Sequence, residues 1–489
     1  MPTAASRAID LERLAHLEHL SSQLEPSPAL WDELSTKVLN YSHNFIRTMP
    51  AGRPYVEGAW SGAGLLDAPI TDEGISVDEA LTLLRDNVDT VGTNHCSGRM
   101  LGYIPGGGVP VSAFGDFMAA IFNRYAGIFF SSPGAVRMEN MLVRWMASIV
   151  GYPEAANGFL SSGGSLATLS AVATARESHG IAAAEVPSAV AYLTGHTHHC
   201  VDKALRIAGL SECQVRRVPE DGNHRMAAPA LERAIQDDKA RGLRPWLVIA
   251  SAGTTDTGSV DPLAEISDIA RAHDLWYHVD GAYGAFFVLC PEGAPVLSGM
   301  HLSDSIVLDP HKTLFLPYGT GALLVRDKDK LGRAHGGRGI YFRDIIGHPT
   351  ELSPAYLSPE LTRHFRGLRM WLPLKVLGLA PFRAALSESI LLARYFYEEL
   401  STCRGFEMGP YPDLSIATCR YVPARGDANV FNHKLIRRIQ RDGRIFITST
   451  RLEGKVVLRL AVVNFRTHRD DIDVAIQVLR ELSAELAAE

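Results

Sequence analysis

The chain has 489 residues, 46% of them hydrophobic and 21% charged, with a mean hydropathy of +0.02, which fits a globular protein of two or three domains and excludes a mainly disordered or collagen-like chain. A formal net charge of −6 and a pI near 6.3 leave no electrostatic footprint for nucleic acid or an anionic membrane. The six scattered cysteines form no C-x-x-C pair, so neither a zinc site nor a disulfide framework is suggested, and reduced thiols in the cytoplasm are the expectation.

The first thirty residues carry no basic start followed by an apolar core, and the apolar stretch 114–130 is broken by Asp116, Asn123 and Arg124, so a soluble chain without a membrane span is expected. Residues 8–39 place Leu11, Leu14, Leu17, Leu20 and Leu24 at three- and four-residue steps, the stripe of an amphipathic helix. That stripe either lies on its own domain or clasps a second subunit. From about residue 88 to 378, short apolar runs alternate with helical patterns, which predicts a mostly parallel sheet covered by helices. The expected strands are 189–193, 246–251, 276–279, 305–308 and 321–325, with helices over 165–178 and 262–273 between them. After Trp371 a long helix over 373–400, strands near 415–421, 444–448 and 455–463, and a last helix from Arg469 predict a smaller α+β domain. The expected division is therefore an N-terminal helical segment 1–87, a large α/β domain 88–372 and a small domain 373–489. The irregular stretch 336–359 is long enough to be functional or mobile.

In sheets of this kind ligands bind beyond the carboxyl ends of the strands, so the residues following each strand carry the chemistry. Ser161-Ser-Gly-Gly-Ser165 opens straight into a helix, where free N–H groups and the helix dipole suit a phosphate. His196, His198 and His199 follow the next strand; adjacent His198 and His199 seldom share one ion and no carboxylate or cysteine cluster is adjacent, so no metal is expected, and an imidazole stacking on a flat cofactor accounts for the position better. Asp280 ends a buried strand before Gly281 and Ala282, where a carboxylate can keep a pyridine nitrogen protonated or simply cap the next turn. Lys312 follows the strand 305–308 in an apolar setting that lowers an amine's pKa and frees it for Schiff-base formation, the alternative being a surface lysine after a strand.

Taken in order, Ser-Ser-Gly-Gly-Ser, the histidine after a strand, His-Val-Asp-Gly-Ala-Tyr and Asp-Pro-His-Lys resemble the group II pyridoxal-phosphate-dependent amino acid decarboxylases, the aromatic amino acid and glutamate decarboxylase family, over residues 94–482. The resemblance implies a fold type I enzyme with pyridoxal 5′-phosphate, acting on a small amino acid substrate as a homodimer with the active site at the subunit boundary. It implies Lys312 as the Schiff-base lysine, Asp280 on the pyridine nitrogen, Ala282 and His198 on the two ring faces, Gly163, Gly164, Ser165 and His311 around the phosphate, and Thr254 near the cofactor. It also implies that Tyr103, Ile104, Pro105 and Gly106 form the substrate gate, whose apolar and aromatic character favours a like side chain.

Two departures stand out. Asp309 replaces an asparagine and is set aside because its charge would repel phosphate; Gly106 replaces a substrate-contacting threonine. Ungapped counting puts Tyr341 on the loop tyrosine that reprotonates the α-carbon, and relatives with phenylalanine there favour oxygen-dependent aldehyde formation. Arg459, an arginine inside an apolar strand, needs a partner, either a substrate carboxylate or a structural one. Decarboxylation of an α-amino acid to its amine is the leading expectation. An aminotransferase, an aldolase-type lyase, an oxygen-dependent decarboxylase-deaminase and a non-catalytic scaffold of the same fold are the alternatives.

Overall fold

The computed structural model describes residues 10–58, 62–336 and 351–489. The chain forms two compact units, one made of residues 1–52 and 56–92, the other of residues 53–55 and 93–489. In the first unit the expected single helix over 8–39 is two helices, α1 (Leu11–Ser21) and α2 (Pro28–Thr48). Pro26 and Pro28 supply no N–H to continue the first helix, and the Ser27 hydroxyl accepts the Leu30 N–H to start the second. No residue of α1 or α2 is buried. A third helix, α3 (Val77–Leu84), opens on a Ser76–Glu79 capping box, and its Asp78 accepts from Lys37 of α2 at 2.8 Å.

The second unit is built on a seven-stranded sheet: β1 (Asn157–Ser161), β2 (Ala189–Leu193), β3 (Gln214–Arg217), β4 (Arg244–Ser251), β5 (Trp276–Asp280), β6 (Ser305–Leu308) and β7 (Gly321–Val325). Its order is β1-β7-β6-β5-β4-β2-β3, and only β7 runs against the rest, antiparallel to both β6 and β1. Alternate residues of the central strands join different cores: Val190, Tyr192, Val248, Ala250 and Val279 pack into one, Ala191, Leu193, Leu247, Ile249 and Val307 into the other. Helices on both faces bury both sets, so these strands read as unbroken apolar runs rather than alternating ones. Two strands escape that signature. β1 holds Asn157 and Gly158 in place of β-branched residues, and β3 is an edge strand, paired only with β2, whose Gln214, Arg216 and Arg217 keep contact with solvent.

The expected helix over 373–400 is also two, α5 (Arg366–Leu377) and α6 (Ala380–Ser401), bent by 94° at Gly378, whose φ of +71° suits glycine. The expected domain boundary at 372/373 thus falls inside α5. Beyond it lies a four-stranded antiparallel sheet in the order β8-β9-β11-β10: β8 (Phe406–Met408), β9 (Ile416–Tyr421), β10 (Thr448–Leu452) and β11 (Lys455–Ala461). The strand expected over 444–448 begins only at Thr448, because Phe446 just before it pairs with Met100 instead. α7 (Ala428–Asp442) and α8 (Arg469–Ala488) cover this sheet around Leu435, Ile439, Leu458 and Leu479. No single helix among the described residues is long and apolar enough to cross a membrane.

Candidate active site

The ends of β1, β2, β4, β5 and β6 and the start of β7 meet at one edge of the large sheet. There a cavity of about 450 Å³ is lined by Gly163, Gly164, Ser165, His198, Thr254, Asp280, Ala282, His311 and Lys312. Each comes from the residues that end or follow a strand, and together they are every cofactor contact that the sequence resemblance implies. Lys312 and Asp280 face the same space.

Lys312 is held by its own turn. Residues Pro310–Thr313 form one helical turn after β6, and Lys312 Nζ lies 3.0 Å from Asp309 Oδ2, its side chain 26% exposed. Burial works against the ammonium form, but the carboxylates of Asp309 and then Asp280 more than offset it, so the Lys312 pKa stands above the ordinary lysine value. This reverses the lowered pKa expected from apolar flanks, because the nearest neighbour is a charge three residues back. Asp309 is therefore part of the site after all. It is fully buried, its Oδ1 accepts no hydrogen bond, and a Cβ on Gly164 would come within 2.8 Å of its Oδ2. Only glycine lets the Ser161–Ser165 turn approach so closely.

Two imidazoles have their tautomers set by backbone. The Cys200 N–H can only donate, and it reaches His198 Nδ1 at 3.3 Å, so the His198 proton resides on Nε2; burial lowers its pKa and keeps the ring neutral. His311 Nδ1 lies 2.6 Å from the Thr320 carbonyl oxygen and is thus the protonated nitrogen, while Nε2 sits 3.7 Å from Asp309 Oδ2. Burial lowers the His311 pKa as well. Asp280 accepts the Ala282 N–H at 3.1 Å, fixing its carboxylate at the end of β5. Thr254 is buried and hydrogen-bonds Thr257 at 2.8 Å.

The cavity fits pyridoxal phosphate. The helix α4 (Gly164–Ser178) starts at its wall with no capping side chain, which leaves first-turn N–H groups for a phosphate. A carboxylate, a neutral imidazole and an amine surround the remaining space. Cys200 also lines it, but burial lifts its thiol to about 12, so it stays protonated and inert.

The expected substrate gate stands apart from this cavity. Tyr103 is exposed, Ile104 half-buried, and Pro105 and Gly106 buried, and none of the four lines it. Gly106, with φ +67°, packs against the backbone under the lysine: a Cβ there would lie 2.2 Å from the His311 oxygen and 2.9 Å from that of Lys312. The residue is glycine because of the Lys312 turn. Arg459 does not line the cavity either. Its Nε donates to the Thr255 carbonyl at 2.6 Å and its Nη1 to that of Tyr103 at 3.3 Å, while Nη2 is buried without a partner. Burial lowers its pKa to about 10. Its partners are thus structural ones, two backbone carbonyls and, at 3.5 Å, the Thr448 hydroxyl. Tyr341 lies outside the described residues. Thr168 and Tyr318 line the cavity without any signal in the sequence motifs, and His196 and Tyr283, which stand inside two of those motifs, line it without having been given a role.

The sheet, its ligand edge and the residues gathered there are those of a fold type I pyridoxal-phosphate enzyme. A family model, the pyridoxal-dependent decarboxylase conserved domain, matches residues 65–419. An aromatic-L-amino-acid decarboxylase of Bacillus atrophaeus is 34% identical over 427 residues, covering 86% of this chain and 88% of its own. A phenylacetaldehyde synthase of Arabidopsis thaliana is 26% identical over 86% of this chain and 89% of its own. The crystal structure of Oryza sativa TDC with PLP and tryptamine superposes with a TM-score of 0.87 at 23% identity, covering 95% of this chain and 99% of that one. The chain belongs to the pyridoxal-dependent decarboxylase family, is a carboxy-lyase by that membership, and takes pyridoxal 5′-phosphate as its cofactor.

Proposed function

We propose that this protein converts an α-amino acid with an apolar or aromatic side chain to the corresponding amine and carbon dioxide. The observation that carries the reading is the convergence of Lys312, Asp280 and His198 with an uncapped helix start on one cavity. When bound, the cofactor supplies an electron sink for the pair left on the α-carbon as the carboxylate departs. Lys312 supplies the amine that holds it; Asp280 keeps a proton on the ring nitrogen; Gly164 and Ser165 offer backbone N–H groups to the phosphate, while the Gly163 N–H donates to the Ser161 hydroxyl and shapes the turn. His198, neutral with its proton on Nε2, gives a flat face that adds no charge next to the reacting carbon. The aromatic preference is supported by the Bacillus relative.

Purified holoenzyme incubated with a panel of amino acids, with and without oxygen, is to be assayed by mass spectrometry for amine, aldehyde and keto acid. Amine equal to the carbon dioxide released supports the proposal. Aldehyde formed with oxygen consumption sinks it in favour of the second reading, which the phenylacetaldehyde synthases among the relatives support.

A homodimer and a cytoplasmic setting belong to the same proposal. The dimer is supported by the leucine stripe of α1, where Leu11 is 71% exposed and Leu14, Leu17 and Leu20 about half exposed. The compartment is supported by six free cysteines.

A further inference from the structure

The turn after β2 and the loop after β3 bring together three side chains that no motif links. His196, Glu220 and His224 place one ligand atom each within 4.8 Å of one another. Glu220 Oε2 lies 3.2 Å from His196 Nε2 and 3.9 Å from His224 Nδ1. A tetrahedral ion with bonds near 2.1 Å holds its donors about 3.4 Å apart, so these distances bracket what such an ion needs.

Two of the donors are set from behind. Asp256 Oδ2 lies 3.1 Å from His196 Nδ1, and the other oxygen of that carboxylate, Oδ1, accepts from the Thr450 hydroxyl at 2.7 Å. A carboxylate on Nδ1 puts the imidazole proton there and turns the Nε2 lone pair toward Glu220, the carboxylate–histidine arrangement that orients metal ligands. Glu220 Oε1 accepts the N–H groups of Gly195 at 2.9 Å and His196 at 3.3 Å, which leaves Oε2 as the free oxygen. Oε2 and Nε2 are 3.2 Å apart, the spacing of an ion pair when the ring carries a second proton and of two donors when a cation lies between them. His224 holds a left-handed φ of +58° in a loop closed by the Glu220–Met226 bridge, and its ring meets that of His196 edge-on at 5.2 Å.

We propose that His196, Glu220 and His224 bind a divalent first-row transition ion of the zinc class, with Asp256 as the residue that positions His196. Two imidazole nitrogens and one carboxylate oxygen favour such an ion over calcium or magnesium, which take oxygen ligands. His196 also lines the active-site cavity, so the three ligands stand beside it. Bound there, the ion ties the loop after β3 to the cavity wall. The rival is a proton in the same place, an imidazolium shared by Asp256 and Glu220, which gives His224 no role.

Chelator-treated holoenzyme is titrated with Zn²⁺ by calorimetry and with Co²⁺ by its visible d–d absorption. One saturable equivalent per chain is expected, together with a zinc-dependent rise in melting temperature. His224→Asn keeps a residue that tolerates the left-handed backbone and should weaken the binding at least about tenfold, while Asp256→Asn should weaken it by roughly 10- to 100-fold. Absence of saturable binding overturns the proposal. So does binding that His224→Asn leaves unchanged, since the ion would then sit elsewhere, for instance on the cofactor.

Discussion

Asp309 changes what the lysine beside it does. With a buried carboxylate at 3.0 Å, Lys312 keeps its proton in the open cavity and must lose it before its amine can react with an aldehyde. Asp309→Asn removes that hold, and with it a negative charge close beneath the phosphate turn. The variant should capture pyridoxal phosphate faster at neutral pH, and the pH midpoint of capture, followed by borohydride trapping on apo-protein, should move down. A midpoint that stays put or moves up would show that Asp309 does not govern the amine. Lys312→Ala should trap nothing. At Gly106 the constraint is steric: Gly106→Ala forces a Cβ against two carbonyl oxygens and a β-carbon into left-handed backbone, which costs roughly 1 to 2 kcal/mol. Cofactor retention measured by dialysis should fall by about tenfold, a loss that restoring the family's threonine would deepen rather than cure.

Among the elements, β5 carries a buried pH liability. His278 is buried, its Nδ1 lies 2.8 Å from the Ser305 hydroxyl, its Nε2 has no partner, and burial lowers its pKa to about 4. A depressed imidazole pKa means that protonation favours the unfolded chain. Stability is whole above the ordinary value of 6.5 and is lost as pH falls from there toward 4, by about 2 kcal/mol between pH 6.5 and 5. Melting temperatures recorded at pH 7 and pH 5 should therefore drop more steeply in the wild type than in His278→Leu. Strands of this sheet were legible where both faces are buried: the apolar runs 189–193, 305–308 and 321–325 have the bounds that the structure shows. Where one side meets solvent, as at Arg216 and Arg217 of β3, the run of apolar letters disappears and so does the signal. Helix breaks were missed for a different reason. Periodicity runs straight through Pro26 and Gly378, and only the backbone shows that the chain turns there.

For the whole molecule, these residues of the cavity wall could be named in advance because each is attached to the end of a strand, and strand ends are visible in the letters. Residues brought together by pairing across the sheet were not. Glu220 and His224 stand more than twenty positions beyond His196, and Asp309 was weighed as a lone charge without Lys312. The same distance between letters and assembly applies to quaternary structure. Leu14→Glu combined with Leu17→Glu should leave the pyridoxal phosphate absorbance of one chain intact while shifting the mass measured by light scattering from dimer to monomer. An unchanged mass would free α1 from that duty.

The reversed direction of β7 has a consequence for how the molecule is made. β6 and β7 are neighbours in sequence as well as in the sheet, and residues 309–320 are the shortest connection between paired strands in it, 12 residues against 20 between β2 and β3 and 24 between β5 and β6. Short loops close first because they surrender less chain entropy. In pulse-labelled hydrogen exchange during refolding, the amides of β6 and β7 should gain protection ahead of those in β2 and β3, so that the reactive amine is seated before the chamber around it exists.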